Sequence, residues 1–163
     1  MSRVLFLMRH AQAEHSAPGL GDYYRPLTPA GREVARGQAQ YLGEVTSVLV
    51  SGAARTRQTV SCLGLGVETE PDRELYNAGS NGILELIRRT DDAVTGLLVV
   101  GHNPGIPVLV DQLAGPGSDP EAVALARNFP PATLCRLEVT GSWADLDEAR
   151  LTHTYRERYP SER

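Results

Sequence analysis

The chain contains no lysine, and all 16 of its basic residues are arginine. A guanidinium is therefore the default solubilising cation here, and a single arginine says little about function unless its position carries the argument. Cysteine is scarce, with only Cys62 and Cys135. Two thiols cannot build a disulfide framework, and no Cys-x-x-Cys pair exists to hold zinc, so both read as small buried hydrophobes. Long apolar runs are missing too. The longest, Val4 to Met8 and Leu97 to Val100, fall far short of the roughly 18 residues that a membrane span requires. Net charge is −4, with 20 acids against 16 bases, which argues against the basic face of a nucleic-acid binder. Residues 1–10 end their apolar run in Arg9-His10, so no signal peptide is read and the cytoplasm is the expected address.

A length of 163 residues suits one domain, expected here to span 1–163. The chain is 41% apolar and 22% charged, as in a globular protein rather than a disordered one. Four short apolar runs read as buried strands: Val4 to Met8, Val48 to Val50, Leu97 to Val100 and Leu134 to Val139. Helices are expected between them. Thr28-Pro29 is an N-cap followed by proline at the first helical position, and Val34, Tyr41, Leu42 and Val45 then share one face. Ser51 is read as the cap of a second helix running to Leu63, closed by Gly64 and Gly66. Further helices are expected over Gly82 to Arg89 and Ile106 to Leu113. Gly115 to Pro131 reads as a loop with at most a short helix, Leu151 to Tyr155 as an edge strand, and residues 155–163 as a fraying tail. Alternating strands and helices imply an α/β fold, with a mostly parallel sheet covered on both faces.

Three of the strands end in residues that carry chemistry. The first switches abruptly to Arg9-His10, the second enters Ser51-Gly52-Ala53-Ala54-Arg55, and the third enters Gly101-His102-Asn103-Pro104. Ligands of open α/β sheets sit at the carboxyl ends of the strands. If these strands are neighbours, Arg9, His10, Arg55 and His102 converge with two helix N-termini on a space suited to an oxyanion, most naturally phosphate. A neutral imidazole there is a competent nucleophile, and nearby arginines would keep it neutral while neutralising the phosphoryl oxygens.

Leu7-Met8-Arg9-His10-Ala11 resembles the Arg-His-Gly signature of the histidine phosphatase superfamily, in an Arg-His-Ala form. Ser51 to Thr59 and Gly101-His102-Asn103-Pro104 resemble its second and third elements. Asp22-x-x-Arg25-Pro26-Leu27-Thr28-x-x-Gly31 is similar to a segment of the SixA-type phosphohistidine phosphatases. The likeness covers residues 3–114, about two-thirds of the chain, and four elements in order make it specific. It implies a three-layer α/β/α sandwich of the phosphoglycerate-mutase type and a nucleophilic His10. It also implies phosphoryl contacts from Arg9 and Arg55, a pocket completed by His102, and no metal or other cofactor.

Two departures bear on the chemistry. Ala11 stands where the parent signature has glycine, a mild change unless φ there is positive. Larger members carry a glutamate that protonates an alkoxide leaving group; the candidates here are Glu74 and Asp22. Arg25, Asn103 and Ser51 are candidate phosphate or pocket contacts. The imidazole leaving group of phosphohistidine is far less basic than an alkoxide and needs less proton donation. Only 27 residues separate Glu74 from His102, which leaves no insertion for an enclosing cap. An uncapped pocket suits a phosphorylated side chain on a protein, and a histidine-phosphotransfer protein is the expected partner. The main rival is a small sugar or nucleotide phosphate ester using Glu74 or Asp22 as general acid. A non-catalytic phosphoprotein-binding module would be expected to lack His10, and a phosphoryl mutase would need more enclosure. His15, five residues beyond His10, does not have the spacing of a helical zinc pair.

Overall fold

The computed structural model describes residues 2–157. Its strands are β1 (Ser2–Arg9), β2 (Ser47–Ser51), β3 (Pro71–Asp72), β4 (Gly96–Gly101), β5 (Leu134–Thr140) and β6 (Arg150–Tyr155). Its α-helices are α1 (Pro29–Gln38), α2 (Ala54–Leu63), α3 (Ser80–Arg88), α4 (Gly105–Leu113) and α5 (Pro120–Leu125). The sheet order is β3-β2-β4-β1-β5-β6. The first four are mutually parallel, β5 runs antiparallel to β1, and β6 antiparallel to β5. None of the described helices is long and apolar enough to cross a membrane.

The apolar runs of β1 and β4 are continuous because both faces of the sheet are covered. Leu5, Leu7, Leu97 and Val99 point to one side, where they join Ile83 and Ile87 of α3 and Ile106 and Leu109 of α4. Phe6, Met8, Leu98 and Val100 point to the other, with Ala35 of α1 and Val60 and Leu63 of α2. This is the α/β/α sandwich expected from the sequence. Trp143 is fully buried in the α3–α4 layer, where its indole N–H donates to the Val94 carbonyl at 2.9 Å. Cys135 is buried as expected, whereas Cys62 is only half-buried.

Local chemistry sets the element ends. Thr28 caps α1 by accepting the Gly31 N–H at 2.9 Å, with proline in the first turn. Gly31 lies so close to the loop after β1 that a Cβ there would overlap the Gln12 carbonyl oxygen. α1 stops at Gln38, earlier than the spacing of Tyr41 and Val45 suggests. Gly37 weakens its last turn, and buried Gln38 is pinned by donating to the carbonyls of Ala132 at 2.7 Å and Tyr155 at 2.9 Å. The chain then tightens into a 3-10 turn over Ala39–Tyr41. Ser51 is the last residue of β2 and not the cap of α2; that position belongs to Ala53, and Gly64 closes the helix in the left-handed region at φ 61°. Asp119 caps the short α5 inside the expected loop. The expected edge strand over Leu151 to Tyr155 is β6, and Tyr155, counted also in the tail from sequence, ends it with its ring stacked on Tyr41 at 4.1 Å. Residues 158–163 of that tail lie outside the described residues.

Candidate active site

Strands β2, β4 and β1 are adjacent, so their carboxyl ends form one crevice. Arg9 lies in register with Gly101, and the His10 N–H donates to the Gly101 carbonyl at 3.0 Å. This register places His10 beside His102, with ring centroids 5.4 Å apart. The ring atom Nδ1 of His10 lies 2.7 Å from the Ala11 carbonyl oxygen. A carbonyl only accepts, so this contact assigns the proton to Nδ1 and leaves the lone pair on Nε2. Burial pushes the His10 pKa down to about 3, opposed by the Ala11 carbonyl and assisted by His102, Arg55 and Arg9. The imidazole is thus neutral at physiological pH.

His102 is also pushed down, to about 4, by burial first and then by Arg55 and Arg9, with Asp22 opposing. Its Nε2 lies 2.7 Å from the hydroxyl of Ser51, which is itself fully buried and accepts the Ala53 N–H at 3.3 Å. His102 Nδ1 is buried and has no hydrogen-bond partner among the described residues. A bound oxyanion would satisfy such a group, which is costly to leave unpaired.

Arg55 enters the crevice from the first turn of α2 and is only 7% exposed. Its two terminal nitrogens donate to Asp22, one to the carbonyl at 2.8 Å and one to the carboxylate at 3.1 Å. Arg9, at the end of β1, donates to the Phe129 carbonyl at 2.9 Å. Thr59 ties the two motifs together by accepting the Ala11 N–H at 3.0 Å and donating to the Arg55 carbonyl at 2.7 Å. Ala132 is the only non-glycine with a positive φ among the described residues, so alanine at position 11 carries no backbone strain.

The carboxylates fall differently from one another. Asp22 is in the site, but as an anion shared by Arg25 at 2.8 Å, by Arg55 and by the Tyr76 hydroxyl, which donates to it. Those partners, Tyr76 first and then Arg25, hold its carboxyl well below the usual carboxylate range. It therefore positions Arg55 and is a poor source of protons, contrary to its candidacy as general acid. Glu74 is not brought into the site. Its side chain is 69% exposed and faces Arg89 at 3.7 Å. Arg25, a candidate phosphate contact, is spent on Asp22 and on the Glu14 carbonyl at 2.8 Å. Asn103 is exposed beside His102.

Tyr76 was not singled out by sequence reasoning. It follows a 3-10 turn over Arg73–Leu75, placed at the carboxyl edge of the sheet by β3 pairing in parallel with β2. Its ring meets that of His102 edge-on at 5.5 Å, and the Arg55 guanidinium lies 5.9 Å from its centroid. A two-residue strand leaves almost no hydropathy pattern, and only the neighbouring Glu74 drew attention to this turn. Among the described residues no group of three or more His, Cys, Asp or Glu could hold a metal ion.

The pKa shifts have a direct consequence. At pH 5.5 an ordinary imidazole is about nine-tenths protonated, whereas His10 and His102 are expected to remain neutral, with titration midpoints near 3 and 4. Ring-carbon NMR of the four histidines checks this, and midpoints near 6.5 for this pair would contradict it. The sign for stability follows. Between pH 6.5 and the folded-state values the unfolded chain binds protons that the folded chain does not, so stability falls as pH drops through that window.

The family description that matches is "Histidine phosphatase superfamily (branch 1)", over residues 5–80. An uncharacterized protein of Mycobacterium tuberculosis is 38% identical over 146 residues, which cover 86% of this chain and 92% of that one. Among solved structures, one from Nakamurella multipartitia, proposed to be a phosphohistidine phosphatase SixA, is 35% identical. It covers 96% of each chain with a TM-score of 0.87. The protein histidine phosphatase SixA complexed with tungstate is 25% identical, with a TM-score of 0.73, and the match covers 93% of this chain and 95% of that one.

Proposed function

The chain belongs to the histidine phosphatase superfamily, and we propose that it hydrolyses phosphohistidine on a protein through a covalent phospho-His10 intermediate. The observation that carries this reading is the pairing of a ready nucleophile with the lack of a ready acid. His10 presents a neutral imidazole with its lone pair on Nε2, among Arg9, Arg55 and His102. Meanwhile Asp22 is held ionised and Glu74 faces solvent. Such a site favours a leaving group that departs with little help. An imidazole does so; an alkoxide does not.

In the first step the Nε2–P bond forms as the P–N bond of the substrate breaks, and the departing imidazole takes up a proton from solvent. Arg9 and Arg55 neutralise the equatorial oxygens, and His102 adds a donor through Nδ1. In the second step water attacks phosphorus, the Nε2–P bond breaks, and inorganic phosphate leaves with His10 restored. Between Glu74 and His102 the chain is taken up by the 3-10 turn, α3 and β4, with no insertion there to enclose the crevice. A crevice without such a cap suits a phosphorylated protein side chain, such as that of a histidine-phosphotransfer protein. Tungstate in a SixA relative supports an oxyanion as the natural occupant of this kind of site.

The test is a side-by-side rate comparison on a histidine-phosphorylated protein and a panel of small phosphate esters, with a chelator present. The expected result is fast loss from histidine, near-silent esters, and a Glu74→Gln variant within about twofold of wild type, as for a solvent-facing charge. Faster turnover of one ester, with Glu74→Gln lowering it by the 100-fold or more typical of a general acid, would overturn the reading.

A further inference from the structure

A row of aromatic rings leads from His10 to the protein surface. Beyond the His10–His102 pair, His102 meets Tyr76 at 5.5 Å, Tyr76 meets Tyr23 at 4.8 Å and Tyr23 meets Tyr24 at 5.4 Å. These last three contacts are edge-to-face, with interplanar angles of 82°, 86° and 79°. That is the arrangement ring quadrupoles favour. The row is held from behind. Tyr76 donates to Asp22, the Arg73 guanidinium lies 4.9 Å from the Tyr23 centroid, and only glycine at position 52 leaves room for the Tyr23 hydroxyl.

At its outer end Tyr24 is 59% exposed, and Leu20 on the same loop is 37% exposed. They are two of four large exposed hydrophobics among the described residues; Tyr41 and Val108 are the others. Nothing in the hydrolytic chemistry uses Leu20, Tyr23 or Tyr24. A phosphorylated metabolite or free amino acid seated on Arg9 and Arg55 ends within the crevice, whereas Tyr24 stands four ring contacts out from His10. Only a substrate that continues past the crevice covers it. Rigid tyrosines contribute large contact area at low entropic cost and are favoured anchors in protein recognition.

We propose that Tyr24 and Leu20 form a docking surface for the polypeptide around the phosphohistidine, with Tyr76 and Tyr23 lining the way in. The occupant is a folded phosphoprotein presenting apolar side chains next to its phosphohistidine. Its phosphoryl group reaches Arg9 and Arg55 while those side chains cover Tyr24. The inference rests on the phosphohistidine reading of the site and assigns the surface that selects a protein over a small substrate.

Steady-state kinetics on two substrates test it: a histidine-phosphotransfer domain phosphorylated chemically with phosphoramidate, and phosphoramidate itself. In Tyr24→Ala, KM for the phosphorylated domain is expected to rise about tenfold with kcat unchanged. Leu20→Ser should give a smaller rise. Phosphoramidate hydrolysis should stay within about twofold of wild type in both, since neither residue bears on the small substrate. Both side chains are exposed, so the thermal midpoint serves as a folding control. An unchanged KM for the domain in Tyr24→Ala would overturn the proposal. So would an equal loss on both substrates, which would place Tyr24 inside the crevice. A wild-type protein that turns over esters but leaves the phosphorylated domain untouched would overturn the reading of the site itself, and the two failures are distinguishable.

Discussion

Replacing His10 with alanine is expected to lower turnover by about five orders of magnitude, the scale seen when an essential nucleophile is removed. The fold should survive. The imidazole is 8% exposed, and its loss leaves a small cavity while removing a buried polar group, so the thermal midpoint should shift by about 5 °C or less. The effect on rate is this large because no other group in the crevice can take over. His102 is the nearest imidazole, but its Nε2 is engaged by Ser51 at 2.7 Å. Arg9 and Arg55 remain and still bind the anion, so the variant should retain tungstate or orthophosphate affinity within about threefold while losing catalysis. Acid-labile, alkali-stable label trapped on wild-type protein during turnover, and none on His10→Ala, is the expected pattern. Retention of more than about a tenth of the rate, or label moving to His102, would remove His10 as nucleophile.

How much of this was visible in the residues depends on what each feature needed. β1 and β4 are buried on both faces and so leave continuous apolar runs, which is why they could be read directly. The meeting of Arg9, His10, Arg55 and His102 then followed from one topological fact, that three strand ends are neighbours. What escaped was set by tertiary placement. Asp22 looks like a candidate acid in isolation. Its charge state is decided first by Tyr76, 54 residues away, then by the neighbouring Arg25, with Arg55, 33 residues away, adding to both. Glu74 drew attention as a carboxylate beyond the second motif, yet the turn that carries it aims it at Arg89 and brings Tyr76 to the crevice instead. The early stop of α1 has the same origin, because Gln38 is held by carbonyls of Ala132 and Tyr155 far along the chain.

Arg55→Ala is expected to lower kcat/KM by 100-fold to 1,000-fold, the range for losing one preorganised transition-state donor. The guanidinium has five N–H groups in a fixed fork. Asp22 takes one from each terminal nitrogen, which clamps the fork in place and leaves N–H groups for phosphoryl oxygens. Arg55→Lys should recover little, because an ammonium keeps the charge but cannot serve Asp22 and two oxygens in one plane. The alanine variant has a second defect. It leaves the Asp22 carboxylate beside the phosphoryl site with only Arg25 and Tyr76 as partners, so a dianionic substrate meets an added negative charge. Adding Asp22→Asn to Arg55→Ala should therefore restore about tenfold of the lost activity, although Asp22→Asn alone lowers activity by loosening Arg55. Opposite signs in the two backgrounds are what direct coupling between neighbours produces. Purely additive losses would mean that Asp22 does not act through Arg55, and a loss below about threefold in Arg55→Ala would mean that Arg55 does not touch the phosphoryl group at all.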